Sequence, residues 1–280
     1  MLQEEGAAPY TPRPSRRGLP ASARTTTPAF STVRALGTGD VQQGTTGLLA
    51  TGLVRLERLA DRDAAARFAT RVMRVQRITG SGPDGLTSTG SSGGPQACAR
   101  STMHVPGGPA TAEADLAEPP RLLLLACLRA PAQGVPVHLV DGRRAYRELQ
   151  RRYPVSAVVF ADEATALFAG RGGGVRGPVF ARRADGRVAF RLGVRGCVRW
   201  CPAAAVRLCD LDEAVRLASC LVRLRAGEGL LLDNHRWASC HLPVGGPHLL
   251  VRAAGLEQRS HTLPYGFRPA SLVVRGRRHG

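Results

Sequence analysis

The segment Gly227-Glu228-Gly229-Leu230-Leu231-Leu232-Asp233-Asn234-His235-Arg236-Trp237-Ala238-Ser239-Cys240-His241 decides how this chain is read. A Gly-Glu-Gly turn leads into three leucines, and the apolar run stops at Asp-Asn-His-Arg-Trp. A short apolar run closed at both ends by turn and polar residues predicts a buried strand. The same rhythm continues towards the N-terminus. Residues 121–128 and 137–140 read as further buried strands, the second closed by Asp141-Gly142. Ala145, Tyr146, Leu149 and Tyr153 mark one face of a helix. Residues 155–160, 179–181 and 188–192 read as short strands, the last two joined by the turn Ala184-Asp185-Gly186. Asp210 or Asp212 is placed to cap a helix reaching about Arg225, with Leu211, Ala214, Val215, Ala218, Leu221 and Val222 inward. Residues 249–251 and 272–274 are the expected closing strands.

The N-terminal part is less regular. Residues 1–46 are rich in Pro, Thr, Ser, Arg and Gly without periodicity, a composition expected to stay disordered. Leu53, Val54 and Leu56 predict a strand. Asp61 can cap a helix whose apolar face is Ala65, Phe68, Ala69, Val72 and Met73. Residues 80–118, dense in Gly, Ser, Thr and Pro, read as an irregular loop or lid. One domain over 47–280 is therefore expected. Many short strands with a few outer helices predict a mostly β fold with flanking helices, a jelly-roll-like double-stranded β-helix.

Composition narrows the function. The formal charge is +18, yet the chain has no lysine, one isoleucine (Ile78) and one asparagine (Asn234). Those three residue types share A/T-rich codons, so the arginine content reads as a GC-rich coding bias. Arginines scattered along the chain with few aromatics do not make a nucleic-acid footprint, and no nucleic-acid partner is expected. Seven cysteines without a framework spacing, and no apolar run longer than Leu122 to Leu128, predict a reduced, cytoplasmic protein without a membrane span.

The opening segment resembles the stretch that delivers the distal metal-binding histidine in taurine dioxygenase-like (clavaminate synthase-like) Fe(II)/2-oxoglutarate-dependent oxygenases. That family typically continues Asp-Asn-x-Arg-x-Leu-His-Gly-Arg. Four other phrases resemble family segments in the same order: Pro119-Pro120-Arg121 to Cys127, Leu139-Val140-Asp141-Gly142-Arg143, Gly177-Pro178-Val179-Phe180, and Leu263-Pro264-Tyr265-Gly266-Phe267. The resemblance covers residues 119–269. It implies Fe(II) and 2-oxoglutarate as cofactors, and a small-molecule or peptide-bound amino-acid substrate, as in secondary metabolism.

The family's iron is held by His-x-Asp/Glu and a distal His, which leave coordination positions open for the co-substrate and O2. In register, those positions here read Ala110, Ala112 and Ser239, with Thr111 retained. Alanine has no donor atom, so the resemblance implies a degenerate metal site. Arg252, 13 residues after Ser239, matches the family arginine that pairs with a 2-oxoglutarate carboxylate. Displaced metal-ligand candidates are His104 and His241; the plain alternative is that such histidines cap, pack or face solvent. A zinc site through Cys197, Cys201, Cys209 and Cys240-His241 lacks paired Cys-x-x-Cys spacing. Ser239 with His241 lacks the glycines of a nucleophile elbow. Two readings follow: a catalytically inactive member of the family, or a working hydroxylase that uses displaced ligands.

Overall fold

Leu122, Leu124 and Ala126 join one apolar cluster, while Leu123, Leu125 and Cys127 join another. Successive side chains of a strand point to opposite faces, so this strand is buried on both sides and must lie at the centre of a covered sheet. The computed structural model describes residues 31–34, 38–78, 80–91, 108–170, 173–259 and 263–269.

The chain begins with β1 (Ser31–Arg34), α1 (Thr38–Thr51), β2 (Leu53–Glu57), α2 (Arg62–Val72), β3 (Met73–Gln76) and β4 (Thr87–Ser91). β5 (Leu122–Arg129) and β6 (Val135–Asp141) precede α3 (Gly142–Arg152) and α4 (Pro154–Val159). Five short strands follow: β7 (Ala166–Gly170), β8 (Gly173–Gly177), β9 (Phe180–Arg182), β10 (Val188–Phe190) and β11 (Val198–Trp200). α5 (Pro202–Ala205) and α6 (Leu208–Ala218) lead to β12 (Ser219–Leu224), β13 (Glu228–Asp233), β14 (Trp237–His241) and β15 (His248–Glu257).

The large sheet runs β1-β2-β13-β5-β15-β3, with β4 also paired to β15. Only β1 with β2 is parallel. A second, antiparallel sheet runs β12-β6-β14. Leu230, Leu232 and Leu250 of the first sheet meet Val137, Leu139, Val222 and Trp237 of the second in one cluster, the interior of the sandwich. The outer face of the large sheet is covered by Phe68, Ala69 and Val72 of α2, which Asp61 caps by accepting from Ala64 N. Val140 and Ala238, on the outer face of the second sheet, pack with Tyr146 and Leu149 of α3 and Leu211 and Ala214 of α6. Two facing sheets with helices outside are the expected double-stranded β-helix. β9 and β10 form the hairpin read from Ala184-Asp185-Gly186. No helix among the described residues is long and apolar enough to cross a membrane.

Several elements differ from the sequence reading. The expected disordered segment 1–46 contains β1 and the first part of α1, so the boundary at 46/47 falls inside a helix. Leu48 in that helix reaches the core, which supplies the burial the composition did not advertise; residues 1–30 lie outside the described residues. Within the expected loop 80–118, Thr87–Ser91 is a strand against β15, because Leu86 and Thr89 are buried there. Residues 92–107 and 272–274 lie outside the described residues. The segment 155–160 is helical. Pro154 pre-sets the first turn, and Ser156 in that turn donates to Asp210 Oδ2 of α6 at 2.5 Å. The helix expected to reach Arg225 ends at Ala218, since Leu221 and Val222 pair in β12 with His138 and Val137. Neither Asp210 nor Asp212 caps it: Arg207 holds the N-cap position without a side-chain bond.

Gly229 is required by close packing between β13 and β5. A Cβ there would lie 2.6 Å from Leu125 O and 2.7 Å from Leu59 Cδ1, whereas a Cβ on Gly177 meets nothing within 4 Å. In urea denaturation, Gly229→Ala is expected to lose about 1–3 kcal/mol, as overpacking does, and Gly177→Ala less than about 1 kcal/mol.

Candidate functional site

The turn after β13 is built around one buried amide. Asn234 is 1% exposed. Its Oδ1 accepts from Ala112 N at 2.7 Å, and its Nδ2 donates to Ala112 O at 3.0 Å and Pro120 O at 2.7 Å. The partners fix the amide orientation, because only the nitrogen can serve two carbonyls. Asp233 Oδ1 accepts from His235 N at 2.9 Å, tightening the turn. Arg236 makes a two-pronged ion pair with Asp141, both contacts 3.0 Å, and Asp141 also accepts from Arg143 N at the start of α3. Trp237 Nε1 donates to Thr51 O at 2.9 Å. Asp-Asn-His-Arg-Trp therefore ties together α1, the 110–120 segment and the β6–α3 junction.

That frame brings the positions singled out in the sequence together. Ala110 and Ser239 form an antiparallel bridge, with Ser239 N donating to Ala110 O at 2.9 Å and Ala110 N to Ser239 O at 3.3 Å. Directly opposed residues present their side chains to the same face. Ser239 shares the parity of Trp237, so that face is the sandwich interior. Ala112 is 8% exposed, its methyl packed in the interior cluster. Thr111 turns to Leu192, donating N–H and accepting through its hydroxyl.

Arg252 lies on β15 between Leu250 and Ala254, which face the same interior. It is 5% exposed, and its Nη2 donates to Glu113 Oε1 at 2.7 Å. Burial pulls its guanidinium below the ordinary arginine value, and the Glu113 carboxylate opposes that pull. Glu113 has a left-handed φ of 50°, which turns the chain immediately after Ala112. The pair was not anticipated from the sequence. Its available signal was an acidic residue next to the motif, combined with an arginine inside a buried strand.

No protein-family model and no curated protein sequence matches the chain. Solved structures do. A taurine dioxygenase from Burkholderia xenovorans aligns with a TM-score of 0.63 and 15% identity over 82% of this chain and 89% of that one. The non-heme iron oxygenase OrfP, in complex with Fe, succinate and (3S)-hydroxy-L-Arg, gives 0.62 and 14% over 84% and 87%. Asparagine oxygenase with Fe(II), 3-hydroxyasparagine and succinate gives 0.58 and 14% over 78% and 79%. The fold is that of the taurine dioxygenase-like oxygenases.

On this taurine dioxygenase-like scaffold, one of the two displaced candidates, His241, falls among the described residues. His241 lies two residues beyond Ser239 on β14, paired in register with Val137, and its ring centroid is 6.3 Å from that of His248. His104 lies outside the described residues. Cys197 and Cys209 are exposed, whereas Cys240 is buried. Among the described residues no three His, Cys, Asp or Glu side chains gather where they could hold a metal ion.

His235 is part of a structural network. Arg121 Nη1 donates to His235 Nδ1 at 3.0 Å, which leaves the neutral ring's proton on Nε2, 3.2 Å from Tyr265 Oη. The ring lies against that of Tyr265, centroids 4.1 Å apart. Burial, then Arg121, Arg191 and Arg183, push its pKa from 6.5 down to about 3.

Two outcomes follow. Asn234→Ala leaves three buried backbone groups without their partner and should cost about 3–5 kcal/mol in chemical denaturation; Asn234→Asp, which cannot donate to either carbonyl, should also destabilise strongly. The second concerns pH. Unfolded His235 takes up a proton below about pH 6.5 while the folded ring does not until about pH 3, so its contribution is complete above 6.5 and lost as pH falls. The loss is about 1.4 kcal/mol per pH unit. His235→Gln, which keeps an acceptor for Arg121, should flatten the stability profile between pH 6 and 4 by about that slope.

Proposed function

We propose that this chain is a catalytically degenerate relative of the Fe(II)/2-oxoglutarate-dependent oxygenases whose fold it has, with binding in place of turnover. The observation that carries the reading is the Ala110–Ser239 bridge: two of the three positions matching the metal triad face each other in the sandwich interior with a methyl and a hydroxyl. The third, Ala112, offers another methyl. These residues do not fit Fe(II). Alanine supplies no donor, and a neutral serine hydroxyl is a poor replacement for an imidazole.

The co-substrate side supports the same reading. Arg252, the residue matched to 2-oxoglutarate recognition, already holds an internal carboxylate from Glu113. A bound dicarboxylate has to displace Glu113 and leave it in a half-buried position without its partner. For ligand class, the proposal follows the solved relatives crystallised with hydroxylated asparagine and arginine: an amino acid, free or peptide-bound.

Anaerobic Fe(II) titration with and without 2-oxoglutarate, followed by a succinate assay in air, tests the reading. Neither stoichiometric uptake nor succinate is expected. Uptake with succinate formation overturns the proposal and supports an oxygenase that uses displaced ligands such as His104 or His241. Restoration is the stricter arm. Ala110→His, Ala112→Asp and Ser239→His together should give Fe(II) affinity that no single change gives. Metal-dependent 2-oxoglutarate binding should appear only when Glu113→Ala is added to release Arg252.

A further inference from the structure

Away from the Ala110–Ser239 centre, a cavity of about 180 Å³ opens beside the Asp233–Arg236 turn, and it shares no lining residue with that centre. Arg121, Arg143, Arg187, Arg236 and Arg268 line it, and Asp233 is the only carboxylate in its lining. Two of these cations are neutralised locally: Arg236 by Asp141 at 3.0 Å, and Arg121 by Asp233 at 3.3 Å. Arg187 spends its donors on Tyr265 O and Gly266 O, both at 2.9 Å, which satisfies hydrogen bonds but leaves the charge. Among the described residues Arg143, Arg187 and Arg268 make no ion pair with a carboxylate, although Arg187 is near enough to Asp233 to favour its charged form.

A crowd of arginines is expected somewhere on a chain of charge +18, so crowding alone decides nothing. The setting makes the difference: here five arginines surround one concave space whose lining holds a single carboxylate. Arg121 is 3% exposed and its two terminal nitrogens are engaged with His235, Asp233 and Pro264 O, so it contributes charge to the wall, while the exposed Arg143 and Arg268 keep their guanidinium groups free of ion pairs among the described residues.

We propose that this cavity is a binding site for a phosphate group carried on a small, partly apolar molecule. The arginines come from four separate stretches of chain: the start of β5, α3, the β9–β10 hairpin and turn 233–236, with Arg268 beyond. Positive charge placed on several sides, with the guanidinium groups of Arg143 and Arg268 left to donate, suits a tetrahedral dianion, whereas a planar carboxylate is met from one plane by a single guanidinium fork. The remaining wall is apolar, made by Leu48, Leu49, Leu263 and Phe267, and Leu49 is 52% exposed. That wall gives the organic part of a phosphate monoester a surface to cover.

The test is calorimetric titration of the full chain, at fixed ionic strength, with inorganic phosphate and with phenyl phosphate. Saturable one-to-one binding is expected, tighter for phenyl phosphate. Arg143→Gln with Arg268→Gln, two exposed positions without ion pairs, should weaken it about tenfold or more. Arg151→Gln with Arg152→Gln removes the same charge elsewhere, on exposed residues paired to Glu148, and should leave binding unchanged. Equal weakening by both pairs, or binding that never saturates, overturns the proposal in favour of general attraction to a cationic surface. Binding of inorganic phosphate but not phenyl phosphate overturns the assignment of the apolar wall. Because the cavity and the Ala110–Ser239 centre have separate residues, neither result depends on whether the chain takes up iron.

Discussion

The carboxamide of Asn234 holds together what the sheets alone leave apart. The large sheet and the second sheet meet through side chains, and the 110–120 segment belongs to neither except at the Ala110–Ser239 bridge. A chain running between two layers has backbone groups that no ladder serves, and buried backbone groups must be paired. One acceptor and two donors on a short side chain meet that requirement at Ala112 N, Ala112 O and Pro120 O. Longer or singly functional side chains lack that combination at that reach. The register of Ala110 opposite Ser239 depends on this anchoring.

The frame of this fold rests on contacts of its own. Asp141, Asn234, Arg236 and Trp237 make the contacts that close the end of the sandwich. The positions facing the interior carry no such duty. A methyl at Ala112 packs with Leu123, Leu139 and Trp237, where an unpartnered carboxylate would be desolvated. Arg252 shows the same logic from the other side. A guanidinium in a buried strand needs a counter-charge, and Glu113 supplies it at 2.7 Å.

Much of the fold was legible because burial leaves a period in the sequence. Leu230–Leu232, the alternating faces of residues 122–127, the Asp61 cap and the Asp141-Gly142 turn all read directly. Misreadings occurred where tertiary contacts overrode local pattern. Val155–Phe160 is apolar and β-branched, yet Pro154 and the Ser156–Asp210 bond make it helical. Leu221 and Val222 continue the spacing of α6 but are drawn into a ladder with β6. Thr38–Thr51 carries glycines and no charge pattern, and its helix rests on packing of Leu48 against the core.

Residue identity by itself determined that no donor atom exists at positions 110 and 112, because no conformation can add one to alanine. It also determined the excess of arginine that any fold of this chain must accommodate. Which of those arginines are neutralised was decided only in three dimensions. Arg252 and Glu113 are 139 residues apart in the chain, and Arg121 and Asp233 are 112 apart. Charge pairing over such separations is set by which strands become neighbours, and strand order is a property of the whole sheet. The cavity beside Asp233 has the same origin: its arginines are scattered between positions 121 and 268, and only the closed sandwich brings them to one wall.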